Sequence, residues 1–242
     1  MKVIDTGAAD AAENMAFAEH LLRTASCSDQ PIVHLFSWKG VACTHGVLVT
    51  PETLLNLEAC RAHQVQIARR PTGGGVMFHV EDVSCSWILP ACHSVYHRDP
   101  DLLYPKFNRG VADAIHRALG VEGVTLALEN APAPNARVGR FCMATPTKWD
   151  LLWQGRKVAG PALRITRKGL LYQLSITLQA PSAALVQACA HDSHVWTQME
   201  QHSGALAPDA DSSTLRNLRQ ELHQQLQRAF AEVLQEATVV SP

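Results

Sequence analysis

An α+β fold is predicted for this chain, with a mainly antiparallel, mixed sheet flanked by helices. Two patterns predict it. Several apolar stripes recur at helical spacing, and between them lie short runs that alternate polar with apolar side chains, as half-buried antiparallel strands do. The bulk composition agrees: 47% hydrophobic and 18% charged residues over 242 positions describe a folded chain large enough for one main core.

Taken in order, residues 9–25 place Met15, Ala18, Leu21 and Leu22 on one helical face. Strand-like runs follow at 32–38 (IVHLFSW) and 45–49 (HGVLV). In TPETLLNLEACRAH, Thr50 stands as N-cap and Pro51 at the first helical position, which predicts a helix from there. The runs 64–70 and 75–79 are close enough for a hairpin, and VSCSWIL (83–89) reads as a further strand. YPKFNRGVADAIHRALG (104–120) spaces Phe107, Val111, Ile115 and Leu119 by four, with Gly120 as terminator. The Pro- and Ala-rich NAPAPNARVG (130–139) reads as a mobile loop. A second hairpin is expected from 149–153 and 157–160, then a strand at 170–178. Residues 180–212 suggest a short helix plus connector. The stripe Leu215, Leu218, Leu222, Leu226, Ala229 and Val233 marks a last helix, preceded by serine caps. Residues 1–180 are therefore expected to form the main domain, with 181–242 a connector and amphipathic helix packed on it.

A net charge of −1, with 12 histidines uncounted, provides no global field for nucleic acid or an anionic bilayer. No stretch approaches the ~18 apolar residues of a membrane span, and the N-terminus lacks a signal-type run, so a cytoplasmic protein is expected. The cysteines, at 27, 43, 60, 85, 92, 142 and 189, are odd in number and show no CxxC spacing. They read as reduced thiols, with neither a disulfide framework nor a permanent metal site.

Chemistry concentrates in two places. In ARRPTGGGVMFH, Arg69 and Arg70 precede Thr72, Gly73, Gly74 and Gly75, with His79 closing the following strand. Consecutive glycines forfeit backbone entropy, so they suit positive φ or a close approach, and arginine forks beside free amides suit phosphate or carboxylate oxygens. The run fits neither GxxxxGK[ST] nor GxGxxG. Downstream, FCMATPTKWDLLWQGRKVAGPALR sets Cys142 at a loop end and Lys157 next to Arg156 on a short strand. Adjacent cations bind anions strongly, and a thiol near positive charge is a candidate nucleophile. A solvent-facing lysine and an inert thiol are the plain alternatives.

Together RRPTGGGVMFH, WDLLWQGRKVAGPALR and the opening ENMAFAEHLL resemble the lipoate-protein ligase and octanoyltransferase family, which shares its catalytic domain with biotin-protein ligases. The family pattern, RR-x-[ST]-GG-[GR], then an apolar strand ending in His, then G-[RK]-K-[IV]-[AS]-G, is met by Arg69 to His79 and by Gly155, Arg156, Lys157, Val158, Ala159 and Gly160, with Ala162 just beyond. The resemblance covers about residues 10–180 and implies an acyl-transfer catalytic domain of the biotin/lipoate protein ligase type. It implies attachment of octanoyl or lipoyl to the lysine of a lipoyl domain, in a 2-oxoacid dehydrogenase E2 or the glycine cleavage H protein. The RR-glycine segment would enclose the activated acyl group, and Lys157 would contact its carbonyl.

The family divides by how the acyl group is activated. Gly75 matches the ligases, which use ATP and Mg²⁺; here the metal would arrive near Asp150. Cys142, Pro146, Thr147, Asp150 and Leu151 match instead the segment C-F-x-x-P-[ST]-x-[YW]-[DE]-L of cysteine-thioester transferases, which need no cofactor and draw on acyl carrier protein. That register favours the transferase, with the ligase as alternative and a non-catalytic lipoate-binding relative as a third reading. Two departures stand out: SWKGVACTHGV lacks the usual S-x-G-x-x-Q segment, and Leu174 and Ser175 stand where relatives commonly show His-Gly. His79 is expected either to position the nucleophile or to bond a backbone carbonyl.

Overall fold

A computed structural model describes residues 1–236. A seven-stranded sheet runs β1-β2-β6-β10-β9-β8-β7, built from β1 (Lys2–Ala9), β2 (Ile32–Trp38), β6 (Glu81–Pro90), β7 (Thr125–Leu126), β8 (Leu151–Trp153), β9 (Arg156–Ile165) and β10 (Gly169–Gln179). Only β1 and β2 pair in parallel there; the other neighbours are antiparallel. A three-stranded sheet, ordered β4-β3-β5, comprises β3 (Ala42–His45), β4 (Gln66–Arg69) and β5 (Val76–His79). Six helices complete the described residues: α1 (Ala11–Thr24), α2 (Leu57–Ala62), α3 (Pro100–Leu119), α4 (Ala183–Cys189), α5 (His194–His202) and α6 (Ser212–Glu236).

The larger core lies between the sheet and the pair α3 and α6. Trp87 of β6 stacks on Phe230 of α6 at 4.5 Å and on Tyr172 of β10 at 5.0 Å, and Phe107 of α3 meets it edge-on at 5.8 Å. All four are fully buried, which explains why β6 and β10 read as nearly continuous apolar runs: they are central strands covered on both faces. The opposite face receives α1, where Leu22 packs with Ile88 and Leu171. A second apolar cluster, with Phe78, Phe141 and Val195, joins the small sheet to α4 and α5.

Several expected elements are displaced. The predicted strand at 45–49 is instead β3 at Ala42–His45; the chain beyond it wraps the glycine loop, with the amides of Gly46 and Val47 donating to the carbonyls of Gly75 and Thr72 at 3.2 and 3.1 Å. A Cβ at Gly46 would stand 2.1 Å from the Gly74 carbonyl, so this crossing leaves no room for strand side chains. The expected hairpin of 64–70 with 75–79 does not form, because β3 inserts between β4 and β5 and pairs with both. The helix expected from Thr50 is only a 3-10 turn at Pro51–Thr53, and Thr50 makes no side-chain cap. There Leu54 and Leu55 turn inward, Asn56 bonds the Cys189 carbonyl at 2.8 Å, and α2 starts afresh under an Asn56 cap on Ala59 at 3.1 Å.

The helix expected at 104–120 begins four residues earlier, where Asp99 caps the Asp101 amide and Pro100 takes the first position. Residues 180–212 hold two helices, α4 and α5, rather than one. Strand β1 carries no strand signal in the sequence: most of its residues are exposed, and it lacks an apolar alternation. The hairpin at 149–160 forms as expected, turning tightly through Gln154 and Gly155, and the loop 130–139 is irregular up to a 3-10 turn at Val138–Arg140. The tail of the segment 181–242, residues 237–242, lies outside the described residues.

Candidate active site

The two sheets face each other across a cavity of about 280 Å³. Its walls pair apolar side chains suited to an alkyl chain, Met15, Phe36, Trp38, Met77 and Leu174, with a polar set that includes Thr44, Arg70, His79, Cys142, Asp150 and Lys157. That mixture of apolar walls and a few convergent polar groups is what a small-molecule site requires.

Cys142 is delivered by the 3-10 turn, whose exit runs alongside β5: the Cys142 amide donates to the Val76 carbonyl at 2.8 Å. This closeness explains Gly75, because a Cβ there would stand 1.8 Å from the Arg140 carbonyl. The tight approach at Gly75 is thus made by the chain's own backbone, so that the Gly75 N–H reaches the Cys142 sulfur at 3.2 Å. An Arg70 N–H points at the same sulfur from 3.5 Å. Arg70 is fixed by its Nε on the Gly73 carbonyl at 3.0 Å and by N–H bonds to the carbonyl and hydroxyl of Thr44 at 3.3 and 3.2 Å.

Lys157 and its neighbour Arg156 do not act as a cation pair. Successive strand residues face opposite ways, so Arg156 is exposed and bonds the Glu200 carbonyl at 2.6 Å, while Lys157 is buried. Its ammonium pairs with Asp150 at 2.7 Å and donates to the Cys142 carbonyl at 2.8 Å. Asp150, expected near a magnesium ion, also accepts the Thr147 amide and hydroxyl at 2.7 and 3.0 Å. One oxygen of this carboxylate, Oδ2, thus takes the ammonium and both Thr147 donors, and no group of three or more His, Cys, Asp or Glu among the described residues could hold a metal ion by itself. Gly160 makes room for the lysine, since a Cβ there would come within 2.9 Å of Lys157 Cε.

The remaining predicted residues divide. Gly74, Gly75, His79, Gly160 and Ala162 line the cavity with Arg70, Cys142 and Lys157. Thr72 supports from behind, donating to Gln173 at 2.8 Å, and Gly73 anchors Arg70. Arg69 is exposed and, like Gly155 in its turn, does not line the cavity; strand alternation again separates two neighbours that the sequence presents as a pair. Among the described residues His79 bonds no backbone carbonyl. Its Nδ1 meets Asp82 at 2.5 Å and its Nε2 meets the Thr44 hydroxyl at 2.9 Å. Burial would raise the Asp82 pKa, but the His79 charge, hydrogen bonds from His79 and Ser175, and the charge of Arg219 hold it below the usual carboxylate range. Sequence reasoning missed Thr44, Asp82, Gln173 and the support role of Asp150. For Asp82 a signal existed in a carboxylate three residues past a strand histidine, whereas Thr44 is brought in only by the small sheet.

The family model for the lipoyl protein ligase A/B catalytic domain matches residues 10–238. The chain belongs to that family. Among curated members of known name, Octanoyltransferase LipM of Halalkalibacterium halodurans is 28% identical over 176 residues, 71% of this chain and 63% of that protein. LipM of Oceanobacillus iheyensis is 27% identical over 167 residues, 68% of this chain and 58% of that protein. The chain therefore spans about six tenths of the length of these relatives. The lipoyl ligase fold is seen in solved structures too. A lipoate-protein ligase A bound with ATP superposes with a TM-score of 0.69 at 19% identity, covering 97% of this chain and 85% of that one. A bipartite lipoate protein ligase from Thermoplasma acidophilum, studied with its E2 lipoyl domain, gives 0.68 at 18%, covering 97% and 83%. No helix among the described residues is long and apolar enough to cross a membrane.

Proposed function

We propose that this chain moves an octanoyl group from the thioester of acyl carrier protein to the lysine of a lipoyl domain, by way of a thioester on Cys142. The observation that carries the reading is the convergence of the Gly75 N–H and an Arg70 N–H on the Cys142 sulfur inside a cavity with apolar walls. The likeness to proteins named octanoyltransferase supports it.

In the first half-reaction the sulfur attacks the donor's carbonyl. A C–S bond to Cys142 forms, the bond to the carrier thiol breaks, and the proton of the Cys142 thiol ends on that departing thiol. The Gly75 and Arg70 donors stabilise negative charge on sulfur, and the Lys157 ammonium, held by Asp150, stabilises the charge that develops on the carbonyl oxygen. In the second half-reaction the neutral amine of the lipoyl-domain lysine attacks the Cys142 thioester. An amide forms, the C–S bond breaks and the amine's proton returns to Cys142. The acceptor is an E2 lipoyl domain or the glycine cleavage H protein, and no cofactor takes part.

The test is incubation with octanoyl-acyl carrier protein followed by denaturing mass spectrometry. An octanoyl adduct is expected on the wild type, sensitive to hydroxylamine and missing in Cys142→Ala. Lys157→Ala is expected to lose transfer to either acceptor. An unmodified wild type that acylates a lipoyl domain only with ATP and lipoate would replace this reading with the ligase; tight acyl binding without transfer in either assay would leave a carrier.

A further inference from the structure

We infer that Asp82 is a positioning residue for Cys142, acting through a chain of hydrogen-bonded contacts from Asp82 to His79 to Thr44 to Arg70 that holds the guanidinium on the thiol. This rests on reading Cys142 as the nucleophile, but the chain of contacts exists independently of any donor. Asp82, His79, Thr44 and Arg70 are all at least nine-tenths buried. An ionised carboxylate only accepts, so the His79 proton sits on Nδ1, 2.5 Å from Asp82 Oδ2. In the neutral imidazole His79 Nε2 accepts the Thr44 hydroxyl hydrogen at 2.9 Å, and in the imidazolium Nε2 donates to the Thr44 oxygen across the same contact. The lone pairs of Thr44 then face Arg70, whose N–H reaches them at 3.2 Å, while another N–H of the same fork reaches Cys142.

Two further contacts lock the order. The Ser175 hydroxyl, on β10, donates to the same Asp82 oxygen, and the Trp38 indole lies over the His79 ring at 4.2 Å. Among the described residues Asp82 Oδ1 has no hydrogen-bond partner, so the carboxylate acts through the oxygen on which His79 and Ser175 meet. The links run through β6, β5 and β3 to the residue after β4, and thus connect the large sheet to the thiol across the small one.

The experiment follows the rate of Cys142 alkylation by iodoacetamide in the full chain, resolved by peptide mass spectrometry, for wild type, Asp82→Asn, Thr44→Val and the double variant. Each single change is expected to slow alkylation about fivefold, the size of one net hydrogen bond. The double variant is expected to be no slower than the slower single, because both cut the same chain. Thr44→Ser, which keeps the hydroxyl, is expected to restore the rate. Unchanged single rates, or single effects that multiply in the double variant, would overturn the inference; if Asp82→Asn fails to fold, Ser175→Ala, which frees the same carboxylate oxygen, takes its place in the cycle with Thr44→Val. Urea midpoints measured alongside report any general loosening, which Thr44→Ser would not selectively repair. Alkylation needs no acyl donor, so coupled alkylation without octanoyl transfer would sink the proposed function and keep the relay, and the converse result would do the reverse.

Discussion

At the scale of single residues, the Lys157–Asp150 pair is the most exposed to test. Both side chains are buried, so removing one partner strands a charge: Asp150→Ala is expected to cost about 3–5 kcal/mol of unfolding free energy, read from urea curves. Replacing both, Lys157→Met with Asp150→Leu, is expected to recover most of that stability and none of the acyl transfer. Gly160→Ala separates geometry from stability in another way. Its methyl group would push a flexible ammonium aside, so transfer is expected to fall tenfold or more, on the order of the loss from a small misplacement, while the urea midpoint barely moves.

His34, which does not line the cavity, supplies a pH signature of its own. Burial lowers its pKa to about 4, although Asp5 pulls the other way, and Phe17 and Phe36 flank its ring. The folded chain then binds fewer protons than the unfolded one between about pH 6.5 and 4. His34 therefore contributes stability in full above about pH 6.5 and loses it as pH falls toward 4, a drop on the order of 3 kcal/mol at most. A urea midpoint that stays level from pH 7 to about 4 would contradict this, as would His34→Gln retaining the full decline.

At the scale of elements, the site depends on how the 3-10 turn lies against β5. Gly75→Ala would set a methyl group on the Arg140 carbonyl, which is backbone and cannot step aside, so both stability and Cys142 reactivity are expected to fall together. Helix α6 is the better-insulated element. Asp211 accepts the Thr214 amide at 2.7 Å and the Ser213 hydroxyl, and these bonds pull its carboxyl to about 2. Its capping is intact above the usual aspartate range and fades only as pH falls toward 2; Asp211→Ala is expected to speed amide exchange in the first turn of α6 at neutral pH.

What the sequence disclosed at this scale was uneven. Helices with strong stripes, such as Phe107 to Leu119 and Leu215 to Val233, were legible because one face meets the core at regular spacing. Strand β1 and the β4-β3-β5 order were not, since pairing partners are chosen by tertiary contacts and an exposed edge strand carries no apolar alternation. In the site, Arg70, Gly75, Cys142 and Lys157 were legible as chemistry. That Arg69 and Arg156 turn away follows only from the strand on which each sits. Thr44 was invisible because an isolated threonine has no pattern of its own, and Asp82 had only its place three residues past a strand histidine to mark it.

At the scale of the whole molecule, α6 contributes Leu222, Leu226 and Phe230 to the same apolar cluster as Trp87 and Tyr172. We propose that residues 181–236 and the remainder melt as a single cooperative unit. Phe230→Ala is expected to lower the stability of that unit by about 3–5 kcal/mol, leaving one transition in urea rather than exposing a separate step. Two resolved transitions would place α6 outside the main folding unit.

The cavity is shared property of two sheets that otherwise keep largely separate apolar clusters: one brings Arg70, Gly75 and the sulfur, the other brings Lys157 and Gly160. In the reaction proposed above, an octanoyl tail on Cys142 would lodge there as mortar between the halves. The octanoylated form should accordingly resist heat and protease better than the bare form, and the protection should extend as far as α4, none of whose residues lines the cavity.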